Sequence, residues 1–541
     1  MRIDRRLSAA RAPALLTAGA LLSASLLGVS STTTTAFAAE SPAAHTAAAH
    51  NTSSQHTLTA AIADRPQLKL IVADKTVEAP KFGRGPVFFD PGIWLASLQS
   101  ALQINVSRSS YTSPERAAEV LRTPGGPVHL SLPAWMLKKW NGLAHFFTVT
   151  VRDSQGHIIR QRAMTFCPDA FFGASKATPN SAATDPFPYQ CNSFDPFPLG
   201  EVWGLPRGWA DDAVGYQSFE LPVGSYKVTI SIGPRFAGWF GITPSNATAS
   251  VTLKVIKGSQ CCGPKGCCSA RTPGAVPAGF VRVQHPAARH GGPNLPATRI
   301  LAHPPADALP DLVPLPSWGI QVANPSPKAA KQTSFLDFGA TVWIGGNAPL
   351  DVEGFRLPGT NTMRAYQYFY KNCKRLIGRM RVGSMGFSNY NAWHFNQFAQ
   401  YKLLNSQKQV LVRSRKIGFC IAPTDSVNML LPHATWQPSY TGIAGNCGDP
   451  AALWATEILP VGWGDTYFQS VPFQSFNITN IPNGTYYIEI IANPEHLLHE
   501  TNAHNDISLR KVIIGGTPGH RTVRVPAWHG IDPEHGAGPI F

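Results

Sequence analysis

Four thiols crowd into one short segment of this chain, Cys261-Cys262-Gly263-Pro264-Lys265-Gly266-Cys267-Cys268. Such a cluster could hold Zn²⁺, but it lacks the paired C-x₂-C spacing of structural zinc sites. In an oxidising compartment a disulfide-stapled turn is the better reading. The chain has nine cysteines, so one thiol is left over, and Cys373 is expected to be that one, in a buried position. Imidazoles are the next candidates. His394 ends the run Tyr390-Asn391-Ala392-Trp393-His394, and alternation along a strand puts residues 390, 392 and 394 on one face. Taken alone, one histidine on a strand is usually an ordinary satisfied polar side chain. His433, His496, His499 and His504 could act as further ligands if the fold brings them close to it. His520, His529 and His535 are spread along a Gly/Pro-rich end and carry no assigned role.

The N-terminus reads as an export signal. Arg2, Arg5, Arg6 and Arg11 make a basic start, residues 12–29 are apolar and small, and Ala36-Phe37-Ala38 supplies the small residues of a cleavage site after Ala38. The Arg5-Arg6 pair raises a twin-arginine route, although the rest of that motif is poor. No other apolar run reaches the ~18 residues of a membrane span, so the mature protein is expected to be secreted, with no transmembrane anchor. The formal charge of +15 becomes +12 once the leader's four arginines and one aspartate are removed. A basic surface suits anionic cell-surface polymers. The cationic residues are scattered, with no basic run and no nucleic-acid motif, which argues against nucleic acid as a partner. The sequons "NVS" from Asn105 and "NIT" from Asn477 matter only in a glycosylating host.

At 541 residues the chain is too long for one hydrophobic core. Its 47 Gly, 47 Pro and only 14% charged residues favour short strands and ordered loops. After the signal peptide (1–38), a disordered lead-in rich in Ala, Thr, Ser and His spans 39–65. Strand-like runs fill 66–256, a Pro/Gly/Cys-rich linker covers 257–308, strand-like runs return over 309–516, and 517–541 reads as a flexible tail.

The two ordered blocks parallel each other. Trp140 to Cys167 aligns with Trp393 to Cys420 at an offset of 253 without a gap. At an offset of 254, Pro206, Gly208, Trp209 and Asp211 fall on Pro460, Gly462, Trp463 and Asp465. "LPVGSYKVTISIGP" from Leu221 parallels "IPNGTYYIEIIANP" from Ile481, and "FFDPG" from Phe88 parallels "FLDFG" from Phe335. Four segments matching in one order read as a duplication. Alternating short runs with turn residues between them predict an all-β fold of two tandem β-sandwich-like domains with long loops. Equivalent placement predicts the disulfides Cys167–Cys191 and Cys420–Cys447, each closing a loop of about 25 residues and contributing ~3 kcal/mol.

The second block resembles the lysyl oxidase family. The resemblance rests on "DLVPLPSW" from Asp311, "WHFNQFAQYKLL" from Trp393, "SRKIGFC" from Ser414, "GWGDTY" from Gly462, the "IPNGTYYIEIIANP" segment and "ETNAHND" from Glu500. It implies a copper amine oxidase that converts primary amines, typically lysine side chains of proteins, to aldehydes with release of ammonia and hydrogen peroxide. It also implies an organic cofactor, lysine tyrosylquinone, made from the protein's own lysine and tyrosine. The matching positions here are Lys416, just before Phe419-Cys420, and Tyr467, which closes Asp-Thr-Tyr. A phenol can be oxidised to a quinone beside a redox metal and O₂, and an amine can then fix it covalently. The plainer alternative is a solvated strand lysine and a buried tyrosine.

Two departures stand beside the resemblance. The first block has Ala163 where the second has Lys416 and Ala213 where it has Tyr467, so it cannot build the cofactor and is expected to serve structure or recognition. The family's copper ligands form a His-x-His-x-His run, and of the three positions only His394 is a histidine here, with Tyr390 and Ala392 at the others. The resemblance therefore leaves two functions open. One is a secreted copper- and quinone-dependent amine oxidase with a degraded copper site. The other is a non-catalytic extracellular binding or structural protein on the same fold.

Overall fold

The computed structural model describes residues 65–168, 174–188, 191, 195–258, 299–326, 328–329, 331–388, 392–436, 447–448 and 450–534. The export signal, most of the lead-in, the Cys261–Cys268 cluster, Tyr390 and residues 535–541 lie outside the described residues.

The described chain is all-β, and its sheets follow from alternation of apolar and polar residues. In the strand Gly224–Ile232, for instance, Tyr226, Val228, Ile230 and Ile232 point inward while Lys227 is exposed. Among the described residues one α-helix forms, Pro234–Phe240, started by a proline at its first turn and stopped by left-handed Gly241.

Three sheets build most of the first block. One runs Leu68–Val72, Ile93–Ser97, Trp209–Asp212 and Ser175–Lys176. A second runs Gly200–Leu205, Leu102–Ser107, Arg116–Thr123 and Gly126–Ser131. The third runs Thr76–Lys81, Thr248–Lys257, Gly224–Ile232, Leu143–Arg152 and Ile158–Phe166. The second block's sheets take the same order. They run Leu312–Pro314, Phe335–Ile344, Trp463–Tyr467 and Asp425–Ser426; then Trp454–Leu459, Leu350–Arg356, Thr362–Lys371 and Arg375–Ser388; then Ile507–Thr517, Gly484–Ala492, Ala399–Leu404 and Val410–Arg413. The second block extends one of these sheets and gives another a different edge strand, antiparallel where Thr76–Lys81 is parallel. Ala392–Asn396 and Gly418–Phe419 add to the edge beyond Arg375–Ser388, and His520–Arg524 pairs with Ile507–Thr517. That last strand falls in the stretch read from sequence as a tail.

A shared turn ties sheet to sheet in each block. Trp209 donates its backbone N–H to Pro206 O (3.0 Å), and Trp463 does the same to Pro460 O (3.1 Å). The glycine between them is left-handed in both, φ +78° at Gly208 and +88° at Gly462. A Cβ at Gly208 would fall 2.6 Å from Ser181 Cα, and one at Gly462 would fall 2.5 Å from Asn428 O, so conformation and space both demand glycine.

The blocks pack directly on each other. Phe187 and Val202 of the first join the second block's core, and Phe187 stacks on Trp436. Leu199 N and Gly200 N both donate to Val427 O, and Met429 N donates to Gly200 O. Buried acids lie in this contact. Asp195 Oδ2 accepts from Thr341 Oγ1 (2.5 Å), Asp195 N donates to Asp425 Oδ1 (3.2 Å), and Glu201 Oε1 accepts from Ser426 Oγ (2.8 Å). Burial raises Asp195 to about 7 and Glu201 well above the usual carboxylate range.

Both expected long-range disulfides are present, Cys167–Cys191 and Cys420–Cys447, with Cα–Cα separations of 5.7 and 5.8 Å. Cys373 remains a thiol, but it is half-buried, not enclosed as expected, because it sits at a strand-connecting turn where its Sγ donates to Asn347 O.

Candidate functional site

The site grows from three neighbouring pieces of backbone. The strand Ala392–Asn396 carries His394, the segment after Val410–Arg413 carries Lys416, and the strand Trp463–Tyr467 ends on Tyr467. The disulfide binds the first two pieces, because Trp393 N donates to Cys447 O (3.0 Å) while Cys420 closes the lysine segment. Gly418 and Asn396 are register partners, and a Cβ at Gly418 would press to 3.0 Å from His394 Cβ. Glycine therefore lets the lysine segment lie against the histidine strand.

Lys416 is buried at 8% exposure, its backbone N–H anchored on Ser414 Oγ (3.0 Å). Its Nζ lies 4.0 Å from the Tyr467 ring centroid and 4.7 Å from that of Phe419. Phe419 meets Tyr467 edge-on at 5.1 Å, and the Tyr467 hydroxyl donates to Cys420 O (3.1 Å). An amine over two aromatic faces gains cation–π attraction, but desolvation opposes its charge. Burial lowers Lys416 to about 8, with Asp465 pulling the other way.

Asp465 shares the Tyr467 strand two positions earlier, the spacing that puts side chains on one face. It is buried at 3% exposure, and desolvation raises it well above the carboxylate range against the counter-pull of Lys416. Glu457 is fully buried too, raised by desolvation and then by Asp465, and it accepts from Ile421 N (3.1 Å). Burial, then Asp465 and Glu457, hold the Tyr467 phenol well above its ordinary value. Sequence reasoning did not single out Asp465 or Glu457. The signal for Asp465 was the alternation within "GWGDTY"; nothing local marks Glu457.

His394 is half-buried, and its Nδ1 lies 3.0 Å from Ala392 O. With Nδ1–H donated there, Nε2 is the nitrogen carrying the lone pair. Burial first, and the charge of Lys416 as well, lower its pKa. The structure thus brings Lys416, Tyr467 and His394 into one neighbourhood.

The other histidines do not join it. His433 is exposed in a left-handed turn. His496 and His504 are exposed and share the field of Asp506, while His499 lies edge-on to Phe369, its backbone N–H bonded to Gln367. Among the described residues no three His, Cys, Asp or Glu side chains come together to hold a metal ion. Ala392 offers no donor. The described residues therefore do not fit a Cu(II) site, which prefers several imidazoles around one ion. The Lys416–Tyr467 contact does fit a lysine–tyrosine cofactor precursor.

Among the described residues no helix is long and apolar enough to cross a membrane. No curated protein matches the chain. Among solved structures, the chain is similar to a tetra-tandem repeat in the extending region of a large adhesion protein, at 7% identity over 83% of this chain and 99% of that one. The TM-score of that pair is 0.09, too low for a shared fold. Residues 387–518 match the lysyl oxidase family model, a span that holds His394, Lys416 and Tyr467, so the second block is similar to a lysyl oxidase domain in the region that builds the site.

Proposed function

We propose that this is an exported amine oxidase of the lysyl oxidase type, acting on primary amines such as lysine side chains, with its chemistry at Lys416 and Tyr467. The reaction takes R–CH₂–NH₂, O₂ and water to the aldehyde, ammonia and hydrogen peroxide. The single observation behind this reading is the Lys416 Nζ held 4.0 Å over the Tyr467 ring inside the family-matched span. A lysine tyrosylquinone would be held by these two residues themselves and would supply an electron-accepting carbonyl for the amine. Asp465, raised by burial and held in mutual attraction with Lys416, is the proton acceptor this reading assigns to the amine, which burial brings down to about 8. Phe419 and the disulfide keep the lysine segment against the ring.

In this reading copper ligation is reduced to His394, and the first block is a duplicate that lost the Lys–Tyr pair and kept the scaffold. Its support is the common sheet order, the paired disulfides and the matched Pro-x-Gly-Trp turns. The basic net charge supports anionic cell-surface polymers as a further partner class.

The test is peptide mapping of the purified chain after copper is supplied, together with a peroxide assay on a panel of primary amines. A covalent Lys416–Tyr467 peptide with peroxide release is expected. Separate, unmodified Lys416 and Tyr467 peptides and no peroxide would replace this reading with a non-catalytic binding protein on the same fold.

A further inference from the structure

One face of the first block is hollow where the second block is filled. The sheets Gly200–Leu205/Leu102–Ser107/Arg116–Thr123/Gly126–Ser131 and Trp454–Leu459/Leu350–Arg356/Thr362–Lys371/Arg375–Ser388 share both order and register. Ser107 opposes Arg116 as Phe355 opposes Arg364, and Asn105 opposes Ala118 as Glu353 opposes Tyr366. Val120 opposes His129 as Tyr368 opposes Arg379, and Gly200 opposes Ser107 as Trp454 opposes Phe355. In the second block this face is full. Trp454 Nε1 donates to buried Glu353 (2.7 Å), and the Arg379 guanidinium lies 5.2 and 5.9 Å from the rings of Tyr366 and Tyr368. In the first block Gly200, Ala118 and Val120 stand where those three rings stand, and over Ala118, at the position of Tyr366, a cavity of about 370 Å³ opens. Its far wall is Leu430 of the second block. Gly200 admits that wall, since a Cβ there would fall 2.5 Å from Asn428 Oδ1 and 3.0 Å from Leu430 Cγ.

The hollow is polar in a particular way. Asn105 and Ser131 flank Ala118 across the sheet, so an amide and a hydroxyl face each other over a small apolar floor. Arg116 beside Ser107 puts a cation at one end, and His129 lines the other side. No carboxylate lines it among the described residues. Gln103 Nε2 donates to Asn105 Oδ1 (3.0 Å) and is itself fixed by Arg122 (3.1 Å), which orients the Asn105 amide. A volume at the small end of the ~300–1,000 Å³ range of ligand sites suits one compact unit. An arginine, several hydrogen-bonding side chains and small apolar surfaces match a compact polyhydroxylated ligand bearing one anionic group. We propose that this cleft binds an acidic sugar unit of the uronic type, with its carboxylate on Arg116 and its hydroxyls on Asn105, Ser107, Ser131 and His129. The polar groups of the site all belong to the first block, and it does not depend on the chemistry of Lys416.

Titration calorimetry on the full chain tests this with three probes: glucuronate, glucose and inorganic phosphate. Saturable glucuronate binding is expected, about tenfold or more tighter than either control, because neither control carries both the anion and the ring. Arg116→Ala, at an exposed position, should weaken glucuronate about tenfold or more and leave near-UV circular dichroism unchanged. Ala118→Tyr, which restores the ring of the filled face, should abolish binding. Phosphate binding as tight as glucuronate would reduce the cleft to an anion site and overturn the sugar assignment. No saturable glucuronate binding, or wild-type affinity in Arg116→Ala, would overturn the proposal outright.

Discussion

The two blocks lay the same strands in the same order and differ in what they bury where Lys416 and Tyr467 stand. In the second block Lys416, Asp465 and Glu457 are packed together, each carrying a desolvation penalty. In the first, the positions of Lys416 and Tyr467 are alanines, and offset 254 puts fully buried Trp203 where Glu457 stands. Trp203 donates its indole N–H to Cys191 O (2.8 Å), so its one polar atom is satisfied. At that position the first block fills the space with an aromatic ring. Asp465 has a buried counterpart in Asp211, so what the second block adds is Lys416, Tyr467 and Glu457, and ionisable groups of this kind cluster where chemistry is done.

The sharpest way to break this comparison is to exchange the pair. Lys416→Met and Tyr467→Phe should each abolish amine oxidation, by about 10³-fold or more, since either removes half of the proposed cofactor. Lys416→Met should not destabilise the fold by more than about 1 kcal/mol, because it replaces a desolvated amine with an apolar chain of similar size. The reverse graft, Ala163→Lys with Ala213→Tyr, should yield neither peroxide nor crosslink. Ala163 is exposed and Ala213 is buried at 3%, so the new tyrosine overpacks by about 1–3 kcal/mol while the new lysine points into solvent. A crosslink in the graft would show that the scaffold suffices with Asp211 alone and without a counterpart of Glu457.

The disulfides separate scaffold from site. Replacing Cys167 and Cys191 with serine should cost about 3 kcal/mol in urea unfolding and leave amine oxidation unchanged. Replacing Cys420 and Cys447 should cost a similar ~3 kcal/mol and also lower oxidation. That bond holds the His394 strand to the lysine segment, and Cys420 O receives the Tyr467 hydroxyl. Equal activity in both double variants would mean the second disulfide positions nothing.

Much of this arrangement was readable in the sequence, and what was missed has a common cause. Strand positions follow from local alternation, and the disulfide pairing follows from two cysteines recurring at equivalent offsets. Lys416 and Tyr467 could be expected together only through the family resemblance, since 51 positions separate them. The burial of Glu457 and the contact of Asp195 with Asp425, 230 positions apart, depend on how sheets and blocks pack. No local pattern encodes that packing. The cleft over Ala118 was hidden for the same reason: an alanine on a strand reads as filler until the equivalent Tyr366 is seen filling the other sheet.

A smaller effect is graded by pH and lies between the blocks. Asp195 is raised to about 7, chiefly by burial and then by Asp425, while Thr341, Trp318 and the backbone of Phe197 pull it down. Arg108 and Tyr111 also feel its charge, and Glu201 faces Asp425 in the same contact. A carboxyl raised in the folded state binds its proton there when the unfolded chain, near 3.8, has released it. Stability should therefore fall as pH rises from about 4 to about 7. Other buried carboxyls, Glu353 and Glu500 among them, add to the same slope, so Asp195→Asn should make it shallower in urea unfolding without removing it, whereas Asp153→Asn, on an exposed hairpin of the first block, should leave it unchanged. A wild-type slope in Asp195→Asn would place the titrating groups elsewhere.

The smallest expected effect is the one that should be the same in both blocks. Tyr226 and Tyr486 occupy matched positions in "LPVGSY" and "IPNGTY", and each hydroxyl reaches back four residues to a proline carbonyl. Tyr226 donates to Pro222 O (3.0 Å) and Tyr486 to Pro482 O (2.6 Å). Both rings are mostly buried, at 9% and 6% exposure, so each bond fixes the turn that enters its central strand. Phenylalanine keeps the ring and removes the hydroxyl, leaving the carbonyl to find water at the turn. A net loss of ~1 kcal/mol is expected in each block, the ordinary value for one hydrogen bond. Because the sites lie in separate cores, the double variant should lose the sum to within about 0.5 kcal/mol. Unequal losses of more than ~1 kcal/mol would mean that the matched corners do different work. The likeness of the two blocks would then stop at strand order and not extend to the interactions that hold the strands.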